Sequence, residues 1–225
     1  MRRIRLTVAY DGTNYCGWQI QPNGITIEEV LNKAICKLTG EEIQVIGASR
    51  TDSGVHARGN IAVFDTESRI PAERFSYALN QRLPKDIVVV KSDEVDLNWH
   101  PRYQDTLKTY EYHIINTKVP IPTERLYNYF VSFDLDVGQM RRGAAYLEGE
   151  HDLAPFCCIR TNAKTTVRTI TDLQILQSGV CVWHRKKPAA SGDQARADPA
   201  QGCPQGMCRR QNPLLYAEHV PVRHA

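Results

Sequence analysis

The chain has 225 residues, enough for one large domain or two small ones, with 42% hydrophobic and 24% charged residues, an ordinary balance for a globular protein in water. No apolar run reaches the roughly 18–20 residues of a membrane span, and Met1-Arg2-Arg3 leads into an alternating pattern, not a signal peptide's apolar block; a cytoplasmic protein with no membrane partner is expected. The formal charge of +3 is no argument for nucleic acid: the last 45 residues hold seven Lys/Arg and three Asp/Glu, while residues 1–180 hold 21 basic and 22 acidic side chains.

Ile4, Leu6 and Val8 alternate with Arg5, Thr7 and Ala9, the pattern of a strand with one buried face. Thr26-Ile27-Glu28-Glu29 reads as a capping box, in which a hydroxyl and a carboxylate satisfy free amides at a helix start. Ile27, Val30, Leu31, Ala34, Ile35 and Leu38 follow at helical spacing, and Gly40 supplies the stop. Strands are expected at about 43–48 and 60–65. Pro71 begins a second helix with Phe75, Ala78, Leu79 and Leu83 on one face, and Ile87-Val88-Val89-Val90 reads as a buried strand. That order, β-α-β-β-α-β, is the split βαβ arrangement of ferredoxin-like domains.

From Trp99 the pattern starts again. Strands are expected over 108–115 and 126–133, then a helix around 137–147 with Met140, Ala144 and Leu147 on one face, then a strand over 167–176. After Val180 the pattern collapses. Positions 183–212 hold no Val, Ile, Leu, Phe or Tyr, and such a segment buries too little apolar area to offset its ordering entropy. Seven cysteines, odd in number and without paired spacing, point to reduced thiols. Cys203 and Cys208 with His184 and His219 lack the usual zinc spacings, and no metal is expected.

The polar stretch 47–60 joins two strand-like runs, and loops carried on rigid strands are where chemistry sits. It places Asp52 between Arg50 and a turn-forming Gly54, with His56 and Arg58 following. The string Arg50-Thr51-Asp52-Ser53-Gly54-Val55-His56-Ala57 resembles the catalytic motif of the tRNA pseudouridine synthase A family. The resemblance continues in order through Tyr10-Asp11-Gly12, Gly17-Trp18-Gln19, His100-Pro101-Arg102 and Lys108-Thr109-Tyr110-Glu111-Tyr112, and covers about residues 3–179.

The resemblance implies an α+β fold of two ferredoxin-like (split βαβ) halves with mostly antiparallel sheets and the active site in the cleft between them. Here that gives residues 1–98 as the half carrying the catalytic loop and 99–180 as an incomplete second half, followed by an atypical, disordered tail over 181–225. The family's Gly-Asn-Gly-Phe-like turn, and the helix bearing an arginine partner for the catalytic aspartate, are not found. A frameshifted or otherwise altered end accounts for this, as does a native disordered RNA-binding tail.

The implied activity is conversion of uridines at positions 38–40, in the tRNA anticodon arm, to pseudouridine, by a homodimer without cofactor or metal. Asp52 takes the role of nucleophile, for which a positioned, ionised carboxylate is suited; attack on sugar and attack on base both remain open. Arg50 matches the arginine that occupies space near the everted base, and Arg58 and Lys108 are candidate phosphate contacts. Tyr110 matches the tyrosine that stacks on the uracil. Alternation alone does not choose between Tyr110 and Tyr112, and the motif alignment selects Tyr110. With the second-half ending missing, impaired activity is expected. The rival reading is a catalytically inactive RNA-binding remnant, and a third an unstable product without function.

Overall fold

The computed structural model describes residues 1–104, 106–157 and 165–177 and the strands at 180–187 and 215–221. Strand β1 (Arg2–Tyr10) buries Ile4, Leu6, Val8 and Tyr10 and leaves the alternate residues half-exposed. The covering layer comes from α1 (Ile27–Thr39) and α2 (Phe75–Asn80), the latter entered through a single 3-10 turn at Ala72–Arg74. The capping box forms as expected: Thr26 Oγ1 accepts from the Glu29 N–H, and the Glu29 carboxylate accepts from the Thr26 N–H. Gly40 closes α1 in the left-handed region at φ 77°, its N–H bonded to the Cys36 carbonyl. Ile27, Leu31 and Ile35 on α1 and Phe75 and Leu79 on α2 pack against β1 and Phe64 with no exposure above 1%.

β1 is flanked by two antiparallel partners, β3 (His56–Thr66) and β4 (Ile87–Val95). A short β2 (Ile46–Gly47) pairs with β3. The sheet order is β4-β1-β3-β10-β5-β9-β8-β7, with β2 beside β3 and β6 beside β5. The later strands are β5 (Thr106–Asn116), β6 (Tyr129–Val131), β7 (Gly149–Asp152), β8 (Val167–Ile175), β9 (Val180–Lys187) and β10 (Leu215–Pro221), with α3 (Val137–Ala145) packed near β8. The result is a mixed α and β protein with a largely antiparallel sheet and few helices. β10 lies between β3 and β5, parallel to the first and antiparallel to the second.

Several expectations change. The strand expected over 43–48 shortens to Ile46–Gly47, and the one expected at 60 begins at His56, so His56 and Arg58 are strand residues and the connecting loop is 48–55. Ile87-Val88-Val89-Val90 is not buried throughout: Val88 and Val90 are 42% and 60% exposed, because β4 is the sheet's edge and is covered by helices on one face only. The strand expected over 126–133 is confined to Tyr129–Val131, and β7 was not anticipated. The tail read as disordered over 181–225 includes strand β10 and most of β9, which pair with β5 on its two sides. The rest of that tail, 188–214 and 222–225, lies outside the described residues.

Candidate active site

Loop 48–55 leaves β2 and enters β3, and the first sequence motif forms its rear wall. The Ala48 N–H bonds the Ile61 carbonyl at 2.7 Å, and Asn60 Nδ2 donates to the Ser49 carbonyl at 3.1 Å. Tyr10, 4% exposed, places its hydroxyl 2.9 Å from the Thr51 hydroxyl. Burial pushes the Tyr10 phenol up to about 12, so this oxygen carries its proton at neutral pH. The Trp18 N–H donates to the Thr51 carbonyl at 3.0 Å, and the Gly54 N–H and the Ser53 hydroxyl both donate to the Tyr15 carbonyl at 3.2 Å. Gly54 turns the chain at φ +80°, a conformation glycine adopts without steric cost. With its backbone held on both sides in this way, the loop leaves Asp52 exposed to solvent.

The motif glycines have a steric reason. A Cβ on Gly12 would lie 2.0 Å from the Val55 carbonyl oxygen, and one on Gly17 would lie 2.4 Å from that of Thr51. Gly47 is likewise filled by the Trp18 indole. Trp18, 1% exposed, is therefore core packing.

His56, 2% exposed, is buried against Asp11 and Tyr127. Nδ1 lies 3.0 Å from Asp11 Oδ1, and the ring packs 5.4 Å from that of Tyr127, whose hydroxyl donates to Asp11 Oδ2 at 2.7 Å. Burial lowers the His56 pKa, and the Asp11 charge opposes this only in part. Burial pushes the Asp11 carboxyl up, but hydrogen bonds from Thr13 and Tyr127, with His56, bring it below the usual carboxylate range. This cluster joins β1, β3 and the segment before β6.

The cations divide into two groups. Lys108 Nζ donates to the Ser49 hydroxyl at 2.6 Å, and Arg102 Nε donates to the Gly47 carbonyl at 2.9 Å, so both reach the stretch containing exposed Arg50. Arg58 instead pairs with Glu111 Oε2 at 3.2 Å. Glu111 has the opposite parity on β5 to Lys108 and Tyr110, which sets Arg58 apart from the loop cations. Tyr110 is half-buried, two positions along β5 from Lys108 and opposite residue 217 of β10. Glu28 was read from sequence only as part of a cap. Its position in register with Leu31 and Ile35 on the apolar face of α1 was the available signal that this carboxylate is buried. Among the described residues no cluster of His, Cys, Asp or Glu is arranged to hold a metal, and no helix is long and apolar enough to cross a membrane.

A family model described as tRNA pseudouridine synthase matches residues 6–104, which span both the rear wall and the Asp52 loop. The chain is 49% identical over 175 residues to tRNA pseudouridine synthase A of Thermoanaerobacter sp. (strain X514), covering 78% of this chain and 72% of the relative. It is 50% identical to the protein of that name from Acetivibrio thermocellus with the same coverage. With the one from Brevibacillus brevis it shares 42% identity over 183 residues, covering 81% and 75%. Matches of this extent define the class: the pseudouridine synthases, a family of isomerases. The chain belongs to the tRNA pseudouridine synthase A family.

Proposed function

We propose that the chain converts uridines 38–40 of the tRNA anticodon arm to pseudouridine, with Asp52 as the nucleophile. The observation that carries this reading is an exposed carboxylate on a loop whose backbone is pinned by Tyr15, Trp18 and Asn60 and whose Thr51 hydroxyl is held by Tyr10, with Arg50 on the loop and Lys108 bonded to it at Ser49. Such pinning fixes an attacking group without a metal or redox centre.

The target nucleoside leaves the stack, and Arg50 is assigned to the space near the everted base. The N1–C1′ bond breaks while Asp52 holds the detached partner covalently. The uracil turns, C5 bonds to C1′, the bond to Asp52 breaks and returns its electron pair to the carboxylate, the C5 proton passes to a base and N1 gains a proton. Tyr110 is the residue assigned to stack on the uracil, and Lys108 and Arg58 are assigned to backbone phosphates.

In this reading residues 1–98 are a ferredoxin-like half with the catalytic loop, 99–180 a partial second half, and the active form a cytoplasmic homodimer. The β-α-β-β-α-β order of the first six elements supports the first assignment. Among the described residues after 98, Val131, Ala144 and Ile170 are buried apolar side chains, whereas Phe133, Tyr146 and Phe156 are 67%, 81% and 74% exposed. An under-covered second half supports impaired activity, and it also favours the alternative of a catalytically inactive RNA-binding remnant. Incubation with an unmodified tRNA, followed by mapping of pseudouridine, is expected to show product at positions 38–40 formed more slowly than by an intact relative. Turnover equal to the relative's would contradict the impairment, and product elsewhere would contradict the substrate. RNA binding that survives Asp52→Ala, with no product from the wild type, would favour the remnant.

A further inference from the structure

Two cationic side chains from outside reach the four residues 47–50 that lead into Asp52, and the stretch ends on a third cation, Arg50. Arg102, from the segment before β5, donates Nε–H to the Gly47 carbonyl at 2.9 Å, and Lys108, from β5, bonds the Ser49 hydroxyl at 2.6 Å. Arg50 ends the stretch, exposed. Anchoring a guanidinium through Nε fixes the direction of its planar fork of terminal N–H groups, the geometry that matches a phosphate.

Glu28, 9% exposed in the first turn of α1, accepts the Ile20 N–H at 3.1 Å and sets an opposing charge beside both arginines. It does not balance them. Burial lowers the Arg102 pKa most, Arg50 lowers it further, and the pull of Glu28 in the other direction is smaller. Two guanidiniums near each other in partly buried surroundings repel, and an anion seated against them relieves that repulsion. In an RNA the plentiful anion is the backbone phosphate, which receives more protein hydrogen bonds than any base edge.

Resting on the reading of Asp52 as the nucleophile of a tRNA-modifying site, we propose that Arg102 is a substrate-positioning residue that binds a backbone phosphate beside the target uridine, with Glu28 partly offsetting the repulsion between Arg102 and Arg50 when no RNA is bound. Arg102 then fixes where the nucleotide sits while Arg50 acts at the everted base. It follows that Arg102 acts on affinity and register and leaves bond-making to Asp52.

The test is retention of an unmodified tRNA transcript by the full chain, measured over a range of salt concentrations. Each phosphate contact contributes about one to the slope of log Kd against log salt. Arg102→Gln is expected to bind more weakly and with a slope lower by about one, whereas Arg102→Lys, which keeps the charge, retains the wild-type slope. A slope unchanged in Arg102→Gln, or an equal loss in Arg102→Lys, would overturn the assignment, since a residue that merely braces Gly47 would affect both variants alike. A wild-type chain that retains no tRNA would overturn the underlying functional reading, and this assignment with it.

Discussion

Gly17 sits at φ +81°, and a Cβ built on it would stand 2.4 Å from the Thr51 carbonyl oxygen and 3.1 Å from the carbonyl carbon of Asp52. Gly17→Ala therefore meets both left-handed backbone strain and a backbone clash, and the part that gives way is the loop holding Asp52. A loss of about 1–3 kcal/mol in a urea titration is expected, with a fall in single-turnover rate on the order of a hundredfold from a displacement near 1 Å. Wild-type stability and rate would contradict the packing. His56 gives a second residue-scale prediction. Its folded pKa is depressed below the ordinary 6.5 by burial, so the unfolded chain binds the proton more readily. The stability this neutral ring contributes is complete above about pH 6.5 and is lost as pH falls through the lower folded value. In His56→Gln the part of the Tm decline that begins near pH 6.5 should be absent; an unchanged profile would show that the ring's titration does not matter. The string from Arg50 to Ala57 was legible because its residue types and order are specific. The burial of Glu28 was signalled only by its register with Leu31 and Ile35, which its place inside the capping string masked.

At the scale of elements, β1 is tied to its neighbours by charge as well as by its apolar face. Arg3 stands directly opposite Asp65 on β3 and binds it through two hydrogen bonds of 2.6 and 2.7 Å. Arg5 stands opposite Asp93 on β4 and binds it the same way at 2.9 and 2.5 Å, with its guanidinium 5.4 Å from the Trp99 ring centre. These pairs are partly covered, so they resist salt better than exposed ones. Arg5→Ala is expected to cost about 1 kcal/mol in a denaturant titration, and a cost that vanishes in 1 M salt would contradict the partial shielding. Periodicity placed β1, α1 and α2 because each has one apolar face. It misplaced the start of β3 because His56-Ala57-Arg58-Gly59 does not alternate; Ala57 is instead paired on both sides, by Tyr10 of β1 and Ala217 of β10. It overstated the burial of β4 because Val88 and Val90 continue an apolar run on the face opposite the helices, where both stay exposed.

For the molecule as a whole, the two regions differ in how completely they are built. The first 98 residues hold the continuous core, from Ile4 through Val89, and the loop that carries Asp52 is bonded to that core. The remaining strands extend the same sheet, and among the described side chains of β5, β6 and β8 most apolar residues are only half-buried. Strand β10 joins the regions by lying between β3 and β5, a long-range pairing that no local pattern announces. The account rests on Asp52 being the group that engages the nucleoside, whatever rate the second region permits. The measurement closest to that claim is a single-turnover incubation of an unmodified tRNA with excess protein, comparing the wild type with Asp52→Asn and mapping pseudouridine. The account predicts slow product at positions 38–40 with the wild type and none with Asp52→Asn, while both bind the RNA. Product formed at the same rate by Asp52→Asn would contradict it.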